Sequence, residues 1–263
     1  MTRLPVLTSE LALRLERLVA PALTECAKDK EPGAPTVVQI GRAVASKAKA
    51  GRPANKVFCF GQQDVSRLGE ILDFYAVDDL EPSFYLAPMQ FTTHVAAALT
   101  GAGFSQTEFE QAILYGLPAA EPEPPPPHVT IERVTSENLD EFVQTTADGF
   151  AWPSTWRDQA MAGTRKEFRA DAYHFLARYR GEAAGVGSLD PRDGVAGLGA
   201  GAVVPRLRGK GCHLALVRHR LHVASTIGCQ LMLGAASFGS GSFRNQQRAG
   251  LRLTYVESTW SRR

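Results

Sequence analysis

Val203-Val204-Pro205-Arg206-Leu207-Arg208-Gly209-Lys210-Gly211-Cys212-His213 decides how this 263-residue chain is read. Leu198 to Val204 has the pattern of a strand, and Gly209 to Ile227 that of a long helix, so the stretch is a strand-to-helix turn. Backbone N–H groups in such a turn converge on one point, and the helix N-terminus adds partial positive charge. Gly209 and Gly211 carry no Cβ to hold a ligand away from the backbone. Arg206, Arg208 and Lys210 add full charges. Together these features predict a cradle for a pyrophosphate. A P-loop is excluded, because Gly211 follows Lys210 where Ser or Thr is needed and Val204 stands where its first glycine belongs. Gly197-Leu198-Gly199-Ala200-Gly201 has dinucleotide-turn spacing, but no helix follows it directly.

The pattern Arg206-x-x-Gly209-x-Gly211 between a strand and a long helix resembles the signature of the GNAT superfamily of acyl-CoA N-acyltransferases. A second stretch agrees. Ser242-Phe243-Arg244-Asn245-Gln246-Gln247-Arg248-Ala249-Gly250-Leu251 is similar to the Ser-x-x-Asn-x-x-Arg-x-Gly-Phe segment of many bacterial members. The resemblance covers about Val129 to Arg263. It implies acetyl-CoA as cosubstrate, with Val203 and Val204 meeting the pantetheine arm through backbone groups. Leu207, Arg208, Gly209, Lys210 and Gly211 would give N–H groups to phosphate, Cys212 and His213 would open the helix beneath it, and Ser242 and Asn245 would touch the arm.

The implied reaction is direct acetyl (or short acyl) transfer to the primary amine of a small molecule. Such a reaction needs a base for the amine and a proton for the leaving thiolate. The strand Leu198 to Val204 carries no acid, so the candidate bases are Asp190 and Asp148, with Asp193 and Glu167 behind them. Gln246 occupies the place where family members carry a proton-donating Tyr, which leaves Tyr255 as substitute. A non-catalytic acyl-CoA-binding regulator and a protein N-terminal acetyltransferase are alternative readings. Phe150, Trp152 and Trp156 fall on the connection that borders the acceptor in this family. Cys212, at a helix start, is a candidate for a lowered pKa. His213, His219 and His222 share a helix without a third ligand at metal spacing, so no metal is expected.

Outward from the loop, residues 119–128 hold five prolines and two glutamates and read as an extended linker. The expected domains are therefore 1–118 and 129–263. The second has the order β-α-α-β-β-β-α-β-α-β, with Ser136 as cap of its first helix. The first runs from a helix over Glu10 to Ala27 through strands at Val37 to Ile40, Lys56 to Phe60 and Pro82 to Leu86, with a helix capped by Asp64 and another over Thr93 to Thr100. It closes on a strand from Gln106 to Tyr115, as the second closes on one from Leu251 to Thr259. The expected fold is α/β: two GNAT-like domains in tandem, each a mixed, mostly antiparallel sheet flanked by helices. In the first, Phe60-Gly61-Gln62-Gln63-Asp64 stands where a cradle belongs but offers one glycine and an acid, so this domain reads as a degenerate repeat that has lost CoA binding.

Hydrophobic residues make up 44% of the chain and charged residues 21%, a globular composition. The net charge of +2 gives no footprint for nucleic acid. Cys26, Cys59, Cys212 and Cys229 form no C-x-x-C pair, and neither a signal segment nor a membrane span is read. A cytoplasmic protein is expected, without membrane or nucleic-acid partner, as monomer or homodimer.

Overall fold

The computed structural model describes residues 3–19, 36–47, 55–109, 111–166, 168 and 172–262. The chain forms two compact units. One comprises Leu114–Leu253 with Met1–Leu4, the other Pro5–Ile113 with Thr254–Arg263. Each is a mixed, mostly antiparallel sheet with helices, as expected.

In the C-terminal unit the elements are β7 (Val129–Arg133), α4 (Leu139–Gly149), α5 (Ser154–Lys166), β8 (Tyr173–Tyr179), β9 (Glu182–Arg192), β10 (Val195–Val203), α6 (Cys212–Thr226), β11 (Leu231–Ser237) and α7 (Gly241–Arg248). Tight two-residue turns join the antiparallel strands. Arg180 and Gly181, at φ 52° and φ 83°, turn β8 into β9. Asp193 and Gly194, at φ 48° and φ 75°, turn β9 into β10. Phe142, Val143, Leu176 and Val186 form a fully buried cluster between α4 and the sheet, and each such side chain contributes about 1.5–3 kcal/mol. Ser136 is not the cap of α4. Asn138 precedes that helix, and its Oδ1 accepts from the Thr135 N–H at 2.8 Å.

The N-terminal unit begins with α1 (Ser9–Val19); the expected continuation to Ala27 lies outside the described residues. It continues through β1 (Thr36–Ile40), β2 (Ala43–Lys47), β3 (Lys56–Phe58), a 3-10 turn at Gln62–Arg67, α2 (Leu68–Ala76), β4 (Ser83–Leu86), α3 (Thr93–Gly101) and β5 (Ser105–Glu108). β2 was not anticipated. Its sequence, Ala-Val-Ala-Ser-Lys, is too short and too rich in alanine to announce a strand. The core packs Phe60, Ile71, Tyr75, Phe84, Leu99 and Phe104.

Two expected strands are each two strands. Gln106 to Tyr115 divides into β5 and β6 (Gln111–Gly116), and Leu251 to Thr259 into β12 (Arg252–Val256) and β13 (Ser258–Ser261). The members of each pair belong to different sheets. The six-stranded sheet has the order β1-β2-β3-β4-β13-β5, and the seven-stranded sheet β12-β6-β11-β10-β9-β8-β7. Thus residues 254–263, expected with the C-terminal domain, fall with the N-terminal unit, and 114–118 with the C-terminal one. Alternating sequence predicts a strand, but not the sheet it joins.

The proline-rich segment is likewise no free spacer. It lies along α6: the Ala119 N–H donates to Leu221 O at 3.0 Å, and Glu123 pairs with Arg218 at 2.6 Å. A Cβ on Gly211 would come within 2.8 Å of Pro126.

Candidate functional site

β10 and β11 run parallel and pair only from Val195–Leu231 to Leu198–Gly234. Beyond that point β10 continues to Val203 and β11 to Ser237 without pairing to each other, so the two strands part. A bulge between Gly199 and Ala202, with Ala200 at φ 39°, marks the place. The β11-facing backbone groups of Gly199 to Val203 therefore lack a strand partner. The Val204 N–H donates to Ala184 on β9 at 2.9 Å. Alternation along the strand turns the Val203 N–H the other way, into the gap. Of the two valines expected to meet a pantetheine arm, only Val203 offers its N–H.

At the end of β10 the chain makes a 3-10 turn, Pro205–Leu207, before α6. This narrows the expected phosphate donors. The Leu207 N–H bonds Val204 O at 2.9 Å and the Arg208 N–H bonds Pro205 O at 3.3 Å. The N–H groups of Gly209, Lys210, Gly211, Cys212 and His213 have no backbone partner among the described residues and stand at the start of α6, which begins at Cys212 rather than Gly209. Gly209 and Gly211 adopt φ 76° and φ 86°, a conformation that glycine tolerates and side chains resist. A Cβ on Gly209 would meet nothing within 4 Å, so the space above the cradle is open. The arginines do not point into it. Arg206 pairs with Glu182, and the Arg208 guanidinium bonds Val203 O at 3.2 Å and Gly149 O at 3.3 Å. Arg208 thereby ties the end of β10 to the end of α4.

Beneath the strand, His213 and Asn245 connect α6 to α7, with Asn245 Nδ2 at 3.3 Å from His213 Nδ1. Burial, helped by the Arg220 charge, lowers the His213 pKa to about 4. The ring is therefore neutral at physiological pH, and Nδ1 accepts. Asn245 Oδ1 takes Arg248 Nη1 at 3.0 Å, so this side chain is engaged at both ends. Arg220, only 1% exposed, reaches under the bulge and donates through Nη1 to Ser188 O at 2.8 Å and Gly199 O at 2.9 Å. A Cβ on Gly187 would lie 2.8 Å from its guanidinium carbon. Sequence reading missed Arg220; the glycines at 187 and 201, both facing it, were the available signal.

The acid–base candidates separate. The Asp190 carboxylate is exposed and lies beside Gly199, with Oδ2 3.4 Å from where a Cβ would stand, next to the point where the strands part. Asp148 instead pairs with Arg157 at 2.5 Å and takes Gln144 Nε2 at 3.2 Å; it joins α4 to α5 and is not a free base. Tyr255 belongs to the other unit, where it is buried. Burial and the charge of Glu257 raise its pKa far above the usual phenol value, so the hydroxyl holds its proton more firmly than a free phenol does. Burial also raises the Cys212 thiol, against the expectation from its helix-start position. Ser240, not Ser242, caps α7, accepting from the Phe243 N–H at 3.1 Å, while Ser242 Oγ lies 3.4 Å from Gln246 Nε2. Gln246 is buried and donates to Ala235 O at 3.1 Å, but its Oε1 has no partner and crowds Gly234. Phe150 and Trp152 stack with centroids 6.4 Å apart at the end of α4, and a Cβ on the adjoining Gly149 would meet Ala202 of β10 at 2.9 Å. Glu167 and Cys26, and the side chain of Trp156, lie outside the described residues. Among the described residues no group of three His, Cys, Asp or Glu side chains is arranged to hold a metal, and no helix is long and apolar enough to cross a membrane.

An open glycine cradle, a strand edge leading into it and an unpartnered acceptor at the fork fit a phosphate-bearing arm with amide groups. Comparison with known proteins agrees. Residues 132–242 match the acetyltransferase (GNAT) family. A GCN5-related N-acetyltransferase from Kribbella flavida superposes with TM-score 0.68 at 16% identity, over 94% of this chain and 95% of its own. One from Sphaerobacter thermophilus gives 0.60 at 18%, over 99% and 94%. A tandem GNAT protein from the clavulanic acid biosynthesis pathway gives 0.63 at 15%, over 97% and 94%. No curated protein sequence matches. Residues 132–242 are therefore similar to the acetyltransferase (GNAT) family, and the chain as a whole shares the fold of these solved structures.

Proposed function

We propose that the chain transfers an acetyl or short acyl group from acetyl-CoA to the primary amine of a small molecule, by direct attack. The observation that carries this reading is the parting of β10 from β11 beside five N–H groups that have no backbone partner among the described residues. The N–H groups of Gly209 to His213 take the diphosphate, and the Val203 N–H takes the pantetheine arm. An N–H between Gly199 and Val203 polarises the thioester carbonyl, and the buried Arg220 charge beneath the bulge holds that strand segment in place. Bound acyl-CoA supplies the activated carbonyl. Asp190 accepts the proton that the amine loses as its nitrogen bonds to the carbonyl carbon and the C–S bond breaks. The Phe150–Trp152 stack walls the acceptor side.

The test is product formation from acetyl-CoA across a panel of small primary amines. Asp190→Asn should lower kcat about 10²–10⁴-fold and flatten the acidic limb of the pH–rate profile, as loss of a general base does. An unchanged profile would remove Asp190 from this role. Gln246 favours a second reading, a non-catalytic acyl-CoA-binding regulator, because a carboxamide cannot protonate a thiolate. Tight CoA binding without turnover on any amine would support it.

A further inference from the structure

Arg220 is 1% exposed, and among the described residues it has no carboxylate partner. Its guanidinium donates only to backbone oxygens: Nε to Leu216 O at 3.0 Å, and Nη1 to Ser188 O at 2.8 Å and to Gly199 O at 2.9 Å. Burial lowers its pKa to about 10, so it keeps its charge at neutrality. A buried charge without a counter-ion is costly, and an apolar side chain of similar volume fills a core at less cost. The sheet nevertheless makes room for this one. A Cβ on Gly187 would lie 2.8 Å from the guanidinium carbon, and one on Gly201 3.6 Å from Nη2.

The Gly199 carbonyl shows what the charge acts on. The same nitrogen serves it and Ser188 O of β9, so Gly199 O points toward β9. The peptide that carries it is trans, and its N–H, that of Ala200, therefore points the opposite way. That is the side from which β11 has parted. Ala200 stands there at φ 39° between Gly199 and Gly201, a conformation that side chains resist. A cation on the oxygen of a peptide draws electrons from its nitrogen and strengthens the N–H as a donor. The two faces of the sheet divide the work. Gly187 and Gly201 face Arg220, whereas a Cβ on Gly199 would meet Ser188 Oγ at 2.5 Å and Asp190 Oδ2 at 3.4 Å. Alternation along β9 puts Ser188 and Asp190 on the face opposite to Gly187. The cation therefore acts on the fork through a peptide bond, from the side away from Asp190.

We propose, on the acyl-CoA reading of the gap, that Arg220 is a positioning residue for acyl transfer: through the Gly199–Ala200 peptide it aims and strengthens the Ala200 N–H, which donates to the thioester oxygen. Order along the chain then matches order along the cosubstrate, with the diphosphate at Gly209 to His213, the pantetheine arm at Val203 and the thioester at Ala200. Negative charge collects on the thioester oxygen as the amine nitrogen bonds to the carbonyl carbon. The C=O bond re-forms as the C–S bond breaks and its electron pair leaves on sulfur. A donor strengthened from the far face stabilises that charge without setting a cation beside the amine.

The experiment is infrared difference spectroscopy of the full chain with acetyl-CoA isotopically labelled at the thioester carbonyl carbon. In the wild type the carbonyl band should lie at lower wavenumber than in free acetyl-CoA. In Arg220→Gln it should move back toward the free position, while acetyl-CoA affinity by calorimetry stays within about threefold. With an amine that turns over, kcat should fall about tenfold to hundredfold at unchanged KM for acetyl-CoA. An arginine that only holds the fold together moves the melting temperature and the affinity, not the band. A second measurement needs no variant: by nuclear magnetic resonance, the Ala200 amide proton of the wild type should lie further downfield with acetyl-CoA than with CoA, which has the same arm and no thioester. Failure of the wild type to bind acetyl-CoA removes the acyl-CoA reading and the role of Arg220 together. Binding with an unshifted band, an equal shift in Arg220→Gln, or an Ala200 proton that responds alike to both ligands overturns the role of Arg220 and leaves the acyl-CoA reading standing.

Discussion

The two units place a turn at equivalent points, after the first strand of a parallel pair and before a helix. β10 leads through 207–211 into α6, and β3 leads through 59–61 into the 3-10 turn and α2. In the C-terminal turn the N–H groups of Gly209 to His213 have no backbone partner among the described residues. The N-terminal turn has filled its own cradle. Asp64 Oδ2 accepts from the Gly61 N–H at 3.1 Å, and Asp64 Oδ1 accepts from the Arg42 N–H at 2.8 Å. A Cβ on Gly61 would strike Gln90 Oε1 at 2.5 Å, where one on Gly209 would strike nothing. A carboxylate fixed in the chain thus answers the N–H donors of a turn placed like the one proposed to hold phosphate. Anion binding depends on whether the protein leaves its N–H groups unanswered, rather than on the turn alone.

The largest effect should come from Gly209→Val. The backbone there has φ 76°, and no packed neighbour lies where the new side chain would stand. A β-branched residue forced into that conformation distorts the cradle alone. CoA affinity should fall about 100-fold or more by calorimetry, with little change in melting temperature. Retained affinity would break the contrast between the turns. Gly211→Val is a poorer probe, because its Cβ collides with Pro126 and mixes ligand loss with unfolding.

Opposite pH responses of the two units come next. Burial raises the folded pKa values of Glu16 and Glu257 above the unfolded value. The folded N-terminal unit therefore holds more protons and loses stability as pH rises from about 4.5 through about 7–8. His213 is depressed to about 4 and His219 is lowered, chiefly by burial. The C-terminal unit therefore loses stability as pH falls below about 6.5. Glu16, Glu257 and His213 each carry an effect on the order of 3–5 kcal/mol. Hydrogen exchange resolved by segment at pH 5 and pH 8.5 should show the less protected unit change places.

Asp64→Gly should cost about 1–3 kcal/mol, because it strands the buried Gly61 donor and removes the partner of the Arg42 N–H. Millimolar phosphate should return part of that melting temperature in the variant and none in the wild type; equal response in both would remove the equivalence of carboxylate and phosphate. The smallest effect belongs to Asp148→Asn. Its partly exposed ion pair with Arg157 is worth about 0.2–1 kcal/mol, and turnover should remain within about threefold. A larger loss of turnover would return Asp148 to the chemistry.

The C-terminal turn was legible because its signals are local: glycine, proline and charge within eleven residues state their conformation directly. The expected strand before it and the expected helix after it appear within a few residues of their places. Gln106 to Tyr115 read as one strand because Phe109 continues the alternation, yet Phe109 is 66% exposed and lies at the break. The acid Glu257 inside an apolar closing stretch was the corresponding sign there. The engagement of Asp148 with Arg157 and of Leu207 with Val204 depends on tertiary distances that no spacing rule encodes. The burial of Glu16 and Glu257 is equally a tertiary matter, and each residue alone resembles an ordinary surface acid.

The placement of β13 between β4 and β5 also sets a timetable. Ser83 Oγ meets Ser261 Oγ at 2.8 Å across 178 residues of sequence. During synthesis the N-terminal sheet must wait with a slot between two strands until Ser258–Ser261 arrive, since long-range pairing bears its loop-closure entropy before any contact repays it. A nascent or truncated N-terminal half exposes two unpaired strand edges. It is therefore prone to capture a foreign strand, and a cut in the proline-rich segment gives two aggregation-prone fragments rather than two domains.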